Sequence, residues 1–149
     1  KKVEGINHPE LKSLKEVNRL IREYNLERKI IRPGKVETED LVAIFNLATL
    51  YIQPSIYEGF GLPILQSFAS GLPTVAAKSG SLPEVGGNAA VYFDPYNLNQ
   101  FNMTILEVLQ NKSLREKLQK MGFEQLKRFS WKKVAEETKA VYKTAGDKR

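Results

Sequence analysis

Apolar residues recur at three- and four-residue steps at Leu11, Leu14, Val17, Leu20 and Ile21, which predicts an amphipathic helix over residues 9–25. Pro9 and Glu10 suit its first turn. Lys29-Ile30-Ile31 is a short apolar piece, read as a strand, that stops at the turn signal Pro33-Gly34. Thr38 is placed to cap a second helix, with Glu39 and Asp40 in its electropositive first turn and Leu41, Ile44, Phe45 and Ala48 on one face. Leu50-Tyr51-Ile52 reads as a strand leading into Pro54-Ser55. A helix from about Leu62 to Ser70 follows, with Gly71 as its left-handed stop. "PTVAA", residues 73–77, is another short apolar run, followed by a loop containing Gly80, Pro83, Gly86 and Gly87. "AAVYF", residues 89–93, is a further strand, ended by Asp94-Pro95. The last third reads as three helices, roughly 97–110, 113–128 and 131–145. Ser130 is positioned to cap the last one, and Trp131 in its first turn is expected to pack it.

Short, near-continuous apolar strands alternating with helices argue for a parallel sheet covered on both faces, a doubly wound α/β domain. A chain of 149 residues is close to the commonest size of one domain, so residues 1–149 are expected to form a single unit. Such a unit can bury roughly 70% of its unfolded surface. Sheets of this kind usually open with a strand, whereas this chain opens with a glycine-containing loop and a helix. The expectation is a fragment lacking its first βαβ unit.

Composition narrows the function classes. There are no cysteines, which excludes a disulfide scaffold and thiolate metal sites and fits a reducing, cytoplasmic setting. No apolar run reaches about 18 residues, and the first residues are not followed by the apolar core of a signal peptide. The net charge of +6 attracts anions, including nucleic acid, anionic lipid and phosphorylated small molecules. The surplus is spread along the helices and concentrated toward the C-terminus. No nucleic-acid-binding signature accompanies it, so it reads as a solvated face. His8 is the sole histidine and cannot form a metal cluster by itself; it reads as an ordinary loop residue.

The stretch "YEGFGLPILQ", residues 57–66, is the chemical focus. In open α/β sheets, ligands bind beyond the carboxyl ends of the strands, and Glu58 follows a strand by a few residues. Gly59 and Gly61 let the backbone turn sharply and approach a ligand closely. Pro63 fits the first helical position, where its missing N–H costs nothing. Free amides at the helix start, with the positive end of the dipole behind them, make an anion site suited to a phosphate or diphosphate. A carboxylate beside it can accept hydrogen bonds from sugar hydroxyls. The alternative is a plain strand-to-helix turn, with glycines for geometry and Glu58 as a solvated acid.

The block "PSIYEGFGLPILQSFASGLPTVAAKSGSLPEVGGNAAVYFDP" closely resembles the C-terminal half of the retaining glycosyltransferases of family 4, also called group 1, which have the GT-B fold. The resemblance runs from Pro33-Gly34-Lys35-Val36 through Phe129-Ser130-Trp131 and the last helix. It implies a Rossmann-like half that binds a nucleotide-sugar donor and works with an N-terminal, acceptor-binding half. It implies no metal or other cofactor and no nucleic acid. Glu58 matches the first acid of the family's paired-acid motif and takes the catalytic assignment, holding hydroxyls of the donor sugar. Phe60, Gly61 and Leu62 match the segment whose backbone amides meet the sugar and diphosphate, and Gly59 beside them is read as substrate-binding. Gln66 matches the second acid, which binds the ribose. Lys35-Val36 lies where the family's chain passes the base. Glu84 matches another motif position and reads as a stabiliser of its loop.

Two departures from the family pattern stand out. Gln66 is an amide where a carboxylate is expected. Exchanging a charge-assisted bond of roughly 1.5–3 kcal/mol for a neutral one of about 0.5–1.5 predicts about tenfold weaker nucleotide binding. The family's Arg and Lys that clamp the diphosphate have no match in this chain; Lys35 and Lys78 are the nearest stand-ins. The isolated polypeptide is therefore expected to be inactive. A non-catalytic sugar-nucleotide-binding module and a GT-B-fold epimerase are the alternatives. A lipid-linked acceptor at the inner face of a membrane is a further reading, prompted by the basic C-terminal helices.

Overall fold

The computed structural model describes residues 9–146, with side chains from residue 13 onward. His8 lies outside the described residues. The chain divides into two compact units, Lys1–Val36 and Glu37–Arg149.

In the first unit, α1 spans Pro9–Glu23. It stops two residues short of the periodicity because Asn25 adopts a left-handed conformation with φ 53°. Leu26 N–H donates to the Ile21 carbonyl at 2.9 Å and Asn25 N–H to the Arg22 carbonyl at 3.1 Å, which satisfies the helix end in the Schellman manner. Ile30 and Ile31 form no strand. A strand needs a neighbour to take its backbone groups, and Ile31 is instead 87% exposed.

The second unit is built on a three-stranded parallel sheet in the order β1-β2-β3: Tyr51–Gln53, Thr74–Ala77 and Ala90–Phe93. Tyr51, Ile52 and Gln53 stand opposite Thr74, Val75 and Ala76, and Thr74 to Ala77 stand opposite Ala90 to Phe93. Successive side chains of a strand point to opposite faces. All four residues of β2 are buried, so both faces of the central strand are covered. This is the α/β architecture expected of near-continuous apolar strands.

Around the sheet lie α2 (Thr38–Leu47), α3 (Leu62–Ala69), α4 (Leu82–Gly86), a 3-10 turn at Gly87–Ala89, α5 (Leu98–Gln110), α6 (Lys112–Leu126) and α7 (Trp131–Gly146). Ile64, Phe68, Val75, Leu82, Val108 and Leu118 meet in one core. Gly122 lets α6 approach α3: a Cβ there would come within 3.0 Å of the Phe68 ring. Ser67 and Thr74 stitch α3 to β2 through hydroxyls 2.7 Å apart, in a place that admits no water-exposed surface for either.

Several expectations change at the helix ends. Thr38 does not cap α2. It is the first helical residue, Glu37 occupies the cap position with extended backbone, and the side chain there makes no capping bond. The stretch with Gly80, Pro83, Gly86 and Gly87 is not simply a loop, because α4 forms within it and buries Leu82 and Val85 at helical spacing. Ser130 caps α7 as expected, accepting from Lys133 N–H at 3.0 Å. Trp131 is 78% exposed and does not pack the helix into the core of this unit; none of the described α7 residues is buried. Asn97 and Asn111, which the hydrophobic pattern passed over, cap α5 and α6. No helix among the described residues is long and apolar enough to cross a membrane.

Candidate functional site

Parallel strands send their carboxyl ends to one edge of the sheet. Three segments emerge there: the bend carrying Glu58 after β1, Lys78 to Ser81 after β2, and Asp94 after β3.

Gln53, the last residue of β1, is buried with only 8% of its surface exposed. Its Oε1 accepts a hydrogen bond from the Tyr51 hydroxyl. That leaves its amide nitrogen to donate to Ser55 Oγ at 2.8 Å and to Glu58 Oε1 at 2.7 Å. The Ser55 hydroxyl donates to the same Glu58 Oε1, at 2.8 Å. The proton count closes: the two amide hydrogens and the two hydroxyl hydrogens each have one acceptor, and the carboxylate receives two bonds on one oxygen. Glu58 Oε2 has no hydrogen-bond partner among the described residues. Tyr51 is seated edge-on against Phe45, with ring centroids 5.4 Å apart. Burial, and secondarily the negative charge of Glu58, push the Tyr51 hydroxyl up to about 12.

The loop after β2 holds the bend by its backbone. Ser81 Oγ lies 2.8 Å from the Phe60 carbonyl and 3.1 Å from the Glu58 carbonyl. Ser79 Oγ donates to the Ile56 carbonyl. Alternate carbonyls of the bend are thus held by two serines of a neighbouring loop. Phe60 adds an edge contact with Phe129, centroids 5.9 Å apart.

At the end of the bend Gly61 has φ 102° and ψ 38°, a left-handed conformation at the N-cap of α3. Pro63 falls within the first two helical positions. Ile64 N–H turns back to the Gly61 carbonyl at 3.0 Å and is not available to a ligand. The backbone N–H groups of Gly59, Phe60, Gly61 and Leu62 donate to no acceptor among the described residues. Gly61 is buried, whereas Gly59, Phe60 and Leu62 are exposed.

Gln66 lies on the exposed side of α3, and its amide makes no hydrogen bond among the described residues. Glu84 is exposed in the first turn of α4, where its charge favours the helix dipole. Lys35 and Val36 belong to the first compact unit, Lys35 exposed and Val36 half-buried. Lys78 follows β2 and borders a groove of about 900 Å³ that runs along β3 and includes Asp94, Gln100 and Lys117. Neither Glu58 nor Gln66 lines that groove. The polar chemistry at Glu58 outweighs the groove's size as a guide to the site, because it joins a held carboxylate to unpaired amides.

The sequence pattern does not single out Gln53, Ser55, Ser79 and Ser81 as site residues. For Gln53 a signal existed: it is a polar residue at the point where an apolar strand ends.

Residues 5–125 match the family of group 1 glycosyl transferases. Over 110 residues the chain is 41% identical to O-antigen chain mannosyltransferase B of Escherichia coli, a match that covers 74% of this chain and 29% of that protein. A sucrose-phosphate synthase from Thermosynechococcus elongatus superposes with a TM-score of 0.80 at 25% identity, over 91% of this chain and 35% of that one. The C-terminal domain of a group 1 family glycosyl transferase from Francisella tularensis shares the fold, with a TM-score of 0.69 at 23% identity over 81% of this chain and 64% of that one. The fold is that of a GT-B glycosyltransferase, of which this chain covers a part. The chain belongs to the group 1 glycosyl transferases.

Proposed function

We propose that this chain is the donor-binding part of a retaining glycosyltransferase, which moves a sugar from a nucleotide-sugar to an acceptor. The observation that carries this reading is the Glu58 carboxylate, with one oxygen anchored and the other unpartnered, immediately before four unpaired amides at the start of α3. In this reading Glu58 Oε2 accepts hydrogen bonds from hydroxyls of the donor sugar. The amides of Gly59, Phe60, Gly61 and Leu62 meet the sugar and diphosphate, assisted by the positive end of the α3 dipole. The nucleoside diphosphate leaves as the acceptor hydroxyl attacks, and the anomeric configuration is kept. Fixed amides need no reorganisation as charge grows on the leaving phosphate, which is how such a site lowers the barrier. Gln66 takes the ribose.

A mannosyl donor is the favoured class, in line with the name of the Escherichia coli relative. The acceptor belongs to an N-terminal half and the remaining diphosphate contacts to the start of the C-terminal half, so this polypeptide alone does not catalyse transfer. A lipid-linked acceptor, met from the cytoplasmic side of a membrane, is a further reading, set apart from the donor-binding one.

Calorimetry on the full-length protein with GDP-mannose, UDP-glucose, GDP and UDP tests it. One sugar nucleotide should bind more tightly than its own diphosphate, and Glu58→Gln should erase that difference. Failure of both pairs to bind, or an undiminished difference in Glu58→Gln, overturns the reading. The exposed amide at Gln66 favours a second reading, a sugar-nucleotide-binding module without catalysis. Tight donor binding with no turnover in the full-length protein would select it.

A further inference from the structure

We infer that Gln53 is a positioning residue that aims the sugar-facing carboxylate, and that Tyr51 fixes the direction in which Gln53 acts; this rests on the role proposed above for Glu58.

A primary amide has a donor end and an acceptor end, and a side chain free to turn would present either one to Glu58. Only the donor end can hold a carboxylate. In this structure the Tyr51 hydroxyl donates to Gln53 Oε1 and so occupies the acceptor end. The nitrogen is thereby directed at Ser55 and Glu58, at 2.8 and 2.7 Å. The arrangement is enclosed: Gln53 is 8% exposed, and Tyr51 is backed by Phe45. In a buried setting a reversed amide would set its oxygen against a carboxylate oxygen and leave Tyr51 without an acceptor, so one orientation dominates.

The consequence concerns the other carboxylate oxygen. Two donors converge on Glu58 Oε1, which fixes the plane of the carboxylate. Oε2 is then presented in a single direction. Selectivity for one sugar hydroxyl pattern requires that kind of pre-set acceptor, because a rotating carboxylate would accept from many arrangements at similar cost. Ser55 contributes from the bend itself, whereas Gln53 contributes from the sheet, the more rigid element. The reach of Gln53 from β1 thus ties the aim of Glu58 to the sheet rather than to its own bend.

The test uses the full-length protein with GDP-mannose and GDP, and with UDP-glucose and UDP as the second pair. Gln53→Leu should lose about tenfold of the affinity that the sugar adds over the bare diphosphate, a loss of about 1.4 kcal/mol. Affinity for the diphosphate itself should stay unchanged. Tyr51→Phe, which keeps the ring against Phe45, should show a smaller loss of the same kind and guards against misfolding of the leucine variant. Side-chain amide exchange of Gln53, followed by nitrogen-15 NMR, gives a readout that needs no ligand: exchange should be slow in the wild type and faster in Tyr51→Phe and in Glu58→Ala. Equal weakening of sugar nucleotide and diphosphate, or amide exchange indifferent to both substitutions, overturns the positioning role. If Glu58→Gln erases the sugar-dependent affinity while Gln53→Leu keeps it, the positioning role falls and the Glu58 assignment stands. If Glu58→Gln itself keeps it, the underlying reading falls.

Discussion

Leu82 Cδ2 stands 2.9 Å from the point where a Cβ on Gly61 would lie, so the helix that follows β2 closes directly on the glycine that starts α3. Gly61 is constrained twice, by that contact and by its φ of 102°. A left-handed conformation costs an L-residue roughly 1–2 kcal/mol before any clash is counted. Gly61→Ala should therefore destabilise the protein by at least about 1–2 kcal/mol in denaturant melts. Gly59→Ala is the matched control, since a Cβ there meets nothing within 4 Å. It should stay within about 0.5 kcal/mol of the wild type. Equal losses at both positions would show that the contact with Leu82 is not a structural constraint.

Tyrosine ionisation reports on the site without a ligand. A tyrosine in an unfolded chain titrates near pH 10. Burial raises Tyr92 to about 12, and burial together with the Glu58 charge raises Tyr51 to about 12. Between those values the native state keeps protons that the unfolded chain has released, so stability falls as pH rises. The contribution is fully present below about pH 10 and is lost through about pH 12. Glu58→Gln should bring the Tyr51 transition down, leaving that of Tyr92 in place, because only Tyr51 feels the Glu58 charge. Tyrosinate absorbance, with Tyr51→Phe used to assign the transition, measures this. An unmoved Tyr51 transition would mean that the Glu58 charge does not reach the hydroxyl.

Much of this arrangement is legible in the amino-acid pattern. β1, β3 and α3 follow from apolar runs ended by Pro54, Asp94 and Gly71, β2 follows from the apolar run Thr74–Ala77, and the bend at Glu58 follows from Gly59 and Gly61. What escapes the pattern depends on partners distant in sequence. Ser81 reaches Phe60 across 21 positions, and nothing local distinguishes it from a solvated serine. Ile30 and Ile31 have strand chemistry but no neighbouring strand, and propensity cannot supply one. The helix α4 is hidden because Gly80, Pro83, Gly86 and Gly87 dominate its composition, although Leu82 and Val85 already carry helical spacing. Trp131 reads as a packing residue by its area alone, yet α7 lays no described residue into the core of its unit.

Transfer activity should require more chain than this one. The match to the Escherichia coli mannosyltransferase covers 29% of that protein, and Lys78 is a poor substitute for a diphosphate clamp. Lys78 borders the groove along β3, which excludes Glu58. The purified 149-residue chain should show no sugar transfer from GDP-mannose or UDP-glucose in a coupled diphosphate-release assay with the full-length protein as reference. Measurable turnover by the chain alone would refute the division of labour between two halves.

Gln66 offers the sharpest single test of the nucleotide end. Its side chain is exposed and makes no hydrogen bond among the described residues, so a substitution there breaks no internal side-chain hydrogen bond. An amide oxygen accepts a ribose hydroxyl as a neutral partner, whereas a carboxylate offers a charge-assisted bond of roughly 1.5–3 kcal/mol against about 0.5–1.5. Gln66→Glu should tighten binding of the nucleoside diphosphate about tenfold, or about 1.4 kcal/mol. The gain should be the same for the sugar nucleotide, because the ribose is common to both ligands. Glu58→Gln should act only on the sugar-dependent part, so the two substitutions should add in the double variant. Calorimetry of the four proteins in the full-length context measures each increment. If Gln66→Glu leaves diphosphate affinity where it was, the residue does not face the ribose. If its effect is confined to the sugar nucleotide, position 66 contacts the sugar instead.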